Sequence, residues 1–308
     1  MIKFFYHQWQ LTIFWIVFVV VVSFALPKYT HAQVTSNTTT TALGMGDAMR
    51  ASARGNSALI YNPAGMSSNA MYSVDTQYYR MGTGVNQFGI NVVDSQTRYA
   101  SDRIAMGLAY QHLLKGTSTA GYEAKLGLSK PILERENFAL SFGFAGKYLS
   151  LDRSSITKGF KSSDGFSMDV GALLRIADLF QVGLVGENLI EIKGAPKRWG
   201  GGVALVQDFF SIDVDYMWNF DKQAEMLSAG TEFLFGSIVL RGGYQQYQYK
   251  DTQIKPLSYV SGGLAYMDLS TGGQFSLGYR SNLDQPSDFM FGVSLSVGLN
   301  LASMSYQE

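Results

Sequence analysis

The stretch that decides the fold is Asp288-Phe289-Met290-Phe291-Gly292-Val293-Ser294-Leu295-Ser296-Val297-Gly298-Leu299-Asn300. Successive side chains of a strand point to opposite faces. Phe289, Phe291, Val293, Leu295, Val297 and Leu299 therefore share one greasy face, and Met290, Gly292, Ser294, Ser296, Gly298 and Asn300 share one that is small and mostly polar. A run of about ten residues is the length of a tilted strand crossing a bilayer.

The same alternation recurs upstream. Phe138, Leu140, Phe142 and Phe144 alternate with Ala139, Ser141, Gly143 and Ala145, and Phe166 to Ile176 repeats the pattern with Asp169 and Arg175 on the polar side. Phe210 to Trp218, Ile238 to Tyr244 and Phe275 to Tyr279 follow suit, with Tyr148, Trp218, Tyr244 and Tyr279 at the ends of runs, where interfacial rings belong. Such segments are the signature of a transmembrane barrel, weak singly and strong in sum. Fourteen can be counted, starting with 71–78, 85–93, 103–112 and 121–130 and ending with 272–281 and 288–299; the first four are poorly patterned, so twelve also fits. The fold class is all-β: a transmembrane antiparallel β-barrel of about 14 strands. Longer connections at Asp94–Asp102, Leu151–Asp164 and Lys250–Lys255, between tight ones, suggest long outer loops alternating with short periplasmic turns.

The N-terminus reads as an export signal. Lys3 precedes an apolar run from Leu11 to Leu26, and Thr30-His31-Ala32 offers small residues for cleavage, so residues 1–32 are expected to be removed. Loss of Lys3 and Lys28 leaves 22 basic residues against 24 acidic ones, a balance that argues against nucleic acid as a partner. Charged residues make up only 16% of the chain and no cysteine is present, which removes disulfides, lipidation on cysteine and thiolate metal sites. An exported chain this poor in charge, without a helical span after the signal, satisfies its backbone in lipid only as a closed barrel. The expected location is the Gram-negative outer membrane, with its lipids as surroundings; residues 71–300 form the barrel and 301–308 a tail.

Residues 33–70 lack the strand period. Asp47 to Arg54 suits a short helix with Asp47 as N-cap, and Asn62-Pro63-Ala64-Gly65 suits a turn, since Pro63 forces Asn62 out of the helical region. The segment reads as a plug in the lumen, or as a disordered tail. The charges expected to line that lumen, or to pair across it, are Asp169, Arg175, Asp213, Asp215, Glu232, Arg241 and Arg280.

The stretch Leu43-Gly44-Met45-Gly46-Asp47-Ala48, then Asn56-Ser57-Ala58, then Tyr61-Asn62-Pro63-Ala64-Gly65-Met66 resembles the N-terminal signature of the FadL-like outer-membrane proteins. Gly165-Phe166-Ser167-Met168-Asp169-Val170-Gly171, Val182 to Leu189, Ala229 to Glu232 and Val239 to Tyr244 resemble the shorter PorV-type branch. The resemblance implies a fourteen-stranded barrel that carries long-chain fatty acids and other small hydrophobic molecules, with Asn62, Pro63, Ala64 and Gly65 in a plug as gating positions. The PorV branch implies the alternative of a non-transporting partner of a protein secretion or surface-attachment system, and a mature chain of about 276 residues, shorter than the fatty-acid carriers, suits that branch. An apolar pocket between plug and wall would mark the carrier. A lumen filled by pairs such as Asp213 with Arg241, plus an apolar loop surface, would mark the scaffold.

An enzyme is not expected. A hydrolase needs a histidine to activate its serine, and the mature chain keeps only His112, on the apolar face of its run. No cofactor is expected, and no metal. Asp213 and Asp215 point the same way without a third ligand, so pairing with Arg241 or Arg280 is the better expectation. Gly200-Gly201-Gly202 is not followed by the Lys-Ser/Thr of a phosphate loop, and relief of crowding explains it better.

Overall fold

A computed structural model describes residues 38–95, 104–116, 118–151, 163–177, 179–190, 192, 195–219, 224–249, 255–268 and 271–299. The signal at 1–32, the tail at 301–308 and most of the three long connections (96–103, 152–162 and 250–254) lie outside the described residues. Fourteen strands follow one another: β1 (Tyr72–Met81), β2 (Val85–Asp94), β3 (Ala105–Lys115), β4 (Ser118–Arg135), β5 (Phe138–Leu151), β6 (Ser163–Ile176), β7 (Phe180–Glu187), β8 (Arg198–Val206), β9 (Phe210–Asn219), β10 (Ala224–Phe235), β11 (Ile238–Tyr249), β12 (Leu257–Asp268), β13 (Gly273–Asn282) and β14 (Phe289–Leu299). Each pairs antiparallel with its neighbours, and β14 closes on β1 from Tyr72 against Leu299 to Met81 against Met290. Closure leaves no sheet edge, the condition for a sheet to span lipid.

The period of two sorts the side chains as the alternation predicts. Phe88, Leu108, Leu126, Phe142, Phe166, Leu184, Val203, Ile212, Leu264 and Leu295 are exposed on the outside. In water that surface would be far larger than any patch a soluble monomer tolerates. In lipid it is the matching face. The inner face carries Gln77, Asn91, Glu123, Asp169, Asp213, Asp215, Gln245 and Arg280, all buried.

The even strand count puts both ends of the barrel chain on one side, together with the short turns 136–137, 207–209 and 236–237; that side is the periplasmic one by the usual asymmetry of such barrels. The strict alternation of long and short connections fails at several points: the outer β1–β2 and β3–β4 connections (82–84 and 116–117) are short. The β2–β3 connection is long but, by strand order, leaves from the short-turn side.

Ahead of the barrel lie α1 (Thr40–Gly44), α2 (Gly55–Tyr61) and a 3-10 helix over Pro63–Ser68. The helix expected over Asp47–Arg54 does not form. Gly46 and Asp47 both take the left-handed conformation (φ 65° and 60°), which does not lead into a helix, and the Asp47 carboxylate accepts from Thr38, Tyr61 and Gln245 and pairs with Arg280 instead of capping a following turn. The amides of Met49 and Arg50 donate to Asp215 Oδ2 of the wall (2.8 and 2.9 Å).

Candidate functional site: the lumen and the segment within it

The wall that receives residues 38–70 is paved with glycine. A Cβ at Gly143 would run into the backbone of Pro63 and Ala64, one at Gly183 into the Arg50 carbonyl, and one at Gly230 or Gly243 into Met45. Backbone meets wall where side chains are absent, and the segment sits in the barrel with Ala42, Leu43, Leu59, Ala64 and Met66 fully buried. Asn62 is 1% exposed; its Nδ2 donates to Arg50 O (2.8 Å) and Ala172 O (3.2 Å), and its Oδ1 accepts from Ala64 N. Pro63 opens the 3-10 helix, and Gly65 lies so close to Ala53 O that no side chain fits. Asn62, Pro63 and Ala64 thus lie at the segment–wall boundary, while Gly65 packs within the segment itself. Replacing Asn62 by Ala and Pro63 by Gly is expected to change conductance in planar bilayers; unchanged conductance and antibiotic sensitivity would remove these residues from any gate.

Charged contacts complete the seat. Arg50 reaches Glu187 (3.1 Å) and Asp215 (3.2 Å) and lies over the Tyr61 ring. Burial works against its charge, but Glu187 and Asp215 outweigh burial and raise its pKa, so it stays protonated. Arg280 pairs with Asp47, which also accepts from Thr38 (2.9 Å), Gln245 (3.2 Å) and Tyr61. Lys125 and Lys147 share Asp169 (2.7 and 2.8 Å), and Lys125 donates to Ile60 O (3.3 Å). Hydrogen-bonded pairs of this kind are the strong ones, and a buried charge is tolerable only when so paired.

All seven charges expected on the inner face are there, but their partners differ. Asp213 pairs with neither Arg241 nor Arg280. Arg241 stands opposite Glu232 in the β10–β11 register and pairs with it at 2.6 Å, while Asp213, on β9, stands opposite Gly230 and lies against Ser52. Arg175 borders the periplasmic cavity. The sequence reading missed Arg50, Lys125, Lys147, Glu187 and Arg198, although inward parity in their runs marks Lys125, Lys147 and Glu187. The triple glycine has a use as well: Gly202 leaves the room that the Asp215 carboxylate fills.

Along the barrel axis the lumen has three zones. At the outer end Met81, Val85, Leu113, Leu149, Leu151 and Met290 form a buried apolar lining. Ion pairs occupy the middle. A cavity of about 940 Å³ opens at the periplasmic end, bordered by Thr39, Ser57, Asp75, Arg175, Glu232 and Arg241. Outside, His112 Nδ1 lies 3.0 Å from Tyr110 OH, and among the described residues no cluster of ligating side chains could hold a metal.

No protein-family model matches the chain, and no curated protein sequence does. Solved structures do. The Pseudomonas putida toluene transporter TodX is 12% identical, with a TM-score of 0.53 over 88% of this chain and 100% of its own. A Pseudomonas aeruginosa FadL homologue is 12% identical, with a TM-score of 0.55 over 87% and 99%. A deltaS2S3 mutant of TodX, described as a monoaromatic hydrocarbon channel, is 11% identical with a TM-score of 0.53 over 86% and 99%. At such identity the likeness carries the fold: this chain is a 14-stranded barrel of the outer-membrane type.

Proposed function

We propose that the chain is an outer-membrane channel for small apolar molecules, closed at rest by residues 38–70. One observation carries the reading. The segment lies on a glycine-paved wall and is held by side-chain contacts, not by strand pairing, so it can move without opening the barrel. The apolar outer lining suits an apolar solute arriving from outside, and the periplasmic cavity gives it room to leave. The fold shared with hydrocarbon channels fits the same class of solute.

One observation favours the second reading, a scaffold that binds a secretion or surface protein and transports nothing. The boundary between segment and wall is closely packed, with ion pairs and backbone set against glycine.

The test uses the absence of native cysteine. Ser67 Oγ and Ser129 Oγ lie 2.9 Å apart, so Ser67→Cys with Ser129→Cys can bridge segment to wall. Proteoliposomes are expected to take up radiolabelled toluene faster than empty ones, to lose that gain on oxidation and to regain it on reduction. Absence of uptake in every state, with a protein copurifying from native membranes, would support the scaffold instead.

A further inference from the structure

The outer connection between β7 and β8 is rooted in the same groups that hold the lumenal segment. At its start, Glu187 binds Arg50 of the segment (3.1 Å), and the Asn188 amide donates to Asp169 Oδ1 (2.8 Å). At its end, Arg198 binds the other Glu187 oxygen (3.0 Å). Asp169 is in turn the partner of Lys125, which donates to Ile60 O at the end of α2. Two routes therefore join loop to segment: Arg198–Glu187–Arg50, and Asn188–Asp169–Lys125–Ile60. They meet around a cavity of about 40 Å³ bordered by Arg50, Lys125, Asp169, Glu187 and Arg198, large enough for water.

The described residues of the connection (188–190, 192 and 195–197) fold inward. Asn188 takes a left-handed conformation (φ 56°) that ends the strand, and its Nδ2 donates to Pro196 O (2.9 Å), closing the base. Leu189 N donates to Met168 O (2.9 Å), which lays the chain on β6. Ile192 and Ala195 are 3% and 8% exposed and belong to the apolar lining of the outer lumen.

We propose that this connection is the outer trigger of the lumenal segment: lifting Ile192 and Ala195 from the lumen frees residues 38–70, and freeing the segment loosens the connection. The physical link is charge. Moving Glu187 withdraws a partner from Arg50, and moving Asn188 withdraws a donor from Asp169, the partner of Lys125; a buried charge stripped of its partner no longer favours the seat. Linkage makes the effect reciprocal, with coupling typically about 5–150-fold in an equilibrium.

The experiment uses the full chain in proteoliposomes and a membrane-impermeant maleimide. Ala48→Cys, fully buried in the segment, reports the seat, and Ala195→Cys reports the connection. Ile192→Asp is expected to speed labelling of Ala48→Cys roughly 5–150-fold, and Arg50→Gln to speed labelling of Ala195→Cys by a similar factor. Asn188→Gly, which removes the base contact to Pro196 and keeps the left-handed backbone accessible, covers the case in which Ile192→Asp does not fold, as judged by heat-modifiable mobility. If Ile192→Asp or Asn188→Gly exposes Ala195→Cys while Ala48→Cys stays slow, the coupling is overturned. Labelling reports release of the segment whether or not any solute passes, so this outcome and that of the uptake assay are independent.

Discussion

Gly143→Val is expected to leave the barrel folded and to unseat residues 38–70. The new side chain would occupy the place of the Pro63 carbonyl carbon and the Ala64 nitrogen, which are backbone and cannot rotate aside. Overpacking of this kind costs about 1–3 kcal/mol. Since each 1.4 kcal/mol is about tenfold in an equilibrium, the seated population should fall by roughly 5- to 150-fold. Single-channel conductance should rise, sensitivity to large antibiotics should rise with it, and protease should trim the segment from an intact barrel. Gly146→Val is the control, because a Cβ there meets nothing within 4 Å. Equal behaviour of the two variants would mean that the segment does not rest on this wall.

Arg50→Ala is expected to do comparable damage by another route. It removes the counter-charge of two buried carboxylates, Glu187 and Asp215, of which, among the described residues, only Glu187 keeps another cation, Arg198. Breaking a buried pair from one side costs about 3–5 kcal/mol, because the remaining charge has no solvent to return to. Conductance should rise and the thermal midpoint for loss of the segment should drop. Arg50→Met combined with Asp215→Asn should recover much of the loss, since Glu187 keeps Arg198 and replacing a buried ionic group by neutral residues of similar volume is often tolerated. If Arg50→Ala alone leaves both readouts unchanged, the ion pairs do not hold the seat.

How much of this was legible beforehand depends on the range of each interaction. A period of two is a local property, so Phe289 to Val297, Phe138 to Phe144 and Phe210 to Trp218 announced their own faces, and the strand limits differ from the sequence reading by only a few residues at most ends. The Asn62–Gly65 turn was legible from Pro63 alone. The helix over 47–54 was misread because the partners that take the Asp47 carboxylate, Gln245 and Arg280, lie far away in sequence and Asp47 itself turns left-handed. Arg50 gave no signal at all, for nothing local distinguishes it from any arginine on a short polar helix.

The sequence by itself determined that the chain forms alternating strands with one lipid face and one wet face, and that a segment without that period precedes them. Only the tertiary structure decided which charges meet. Pairing across a lumen is set by register between neighbouring strands, by closure of β14 on β1 and by where a separate segment comes to rest. Arg241 meets Glu232 as its neighbour within one hairpin, whereas the Asp215–Arg50 distance exists only once the sheet has curved into a ring with the segment inside it.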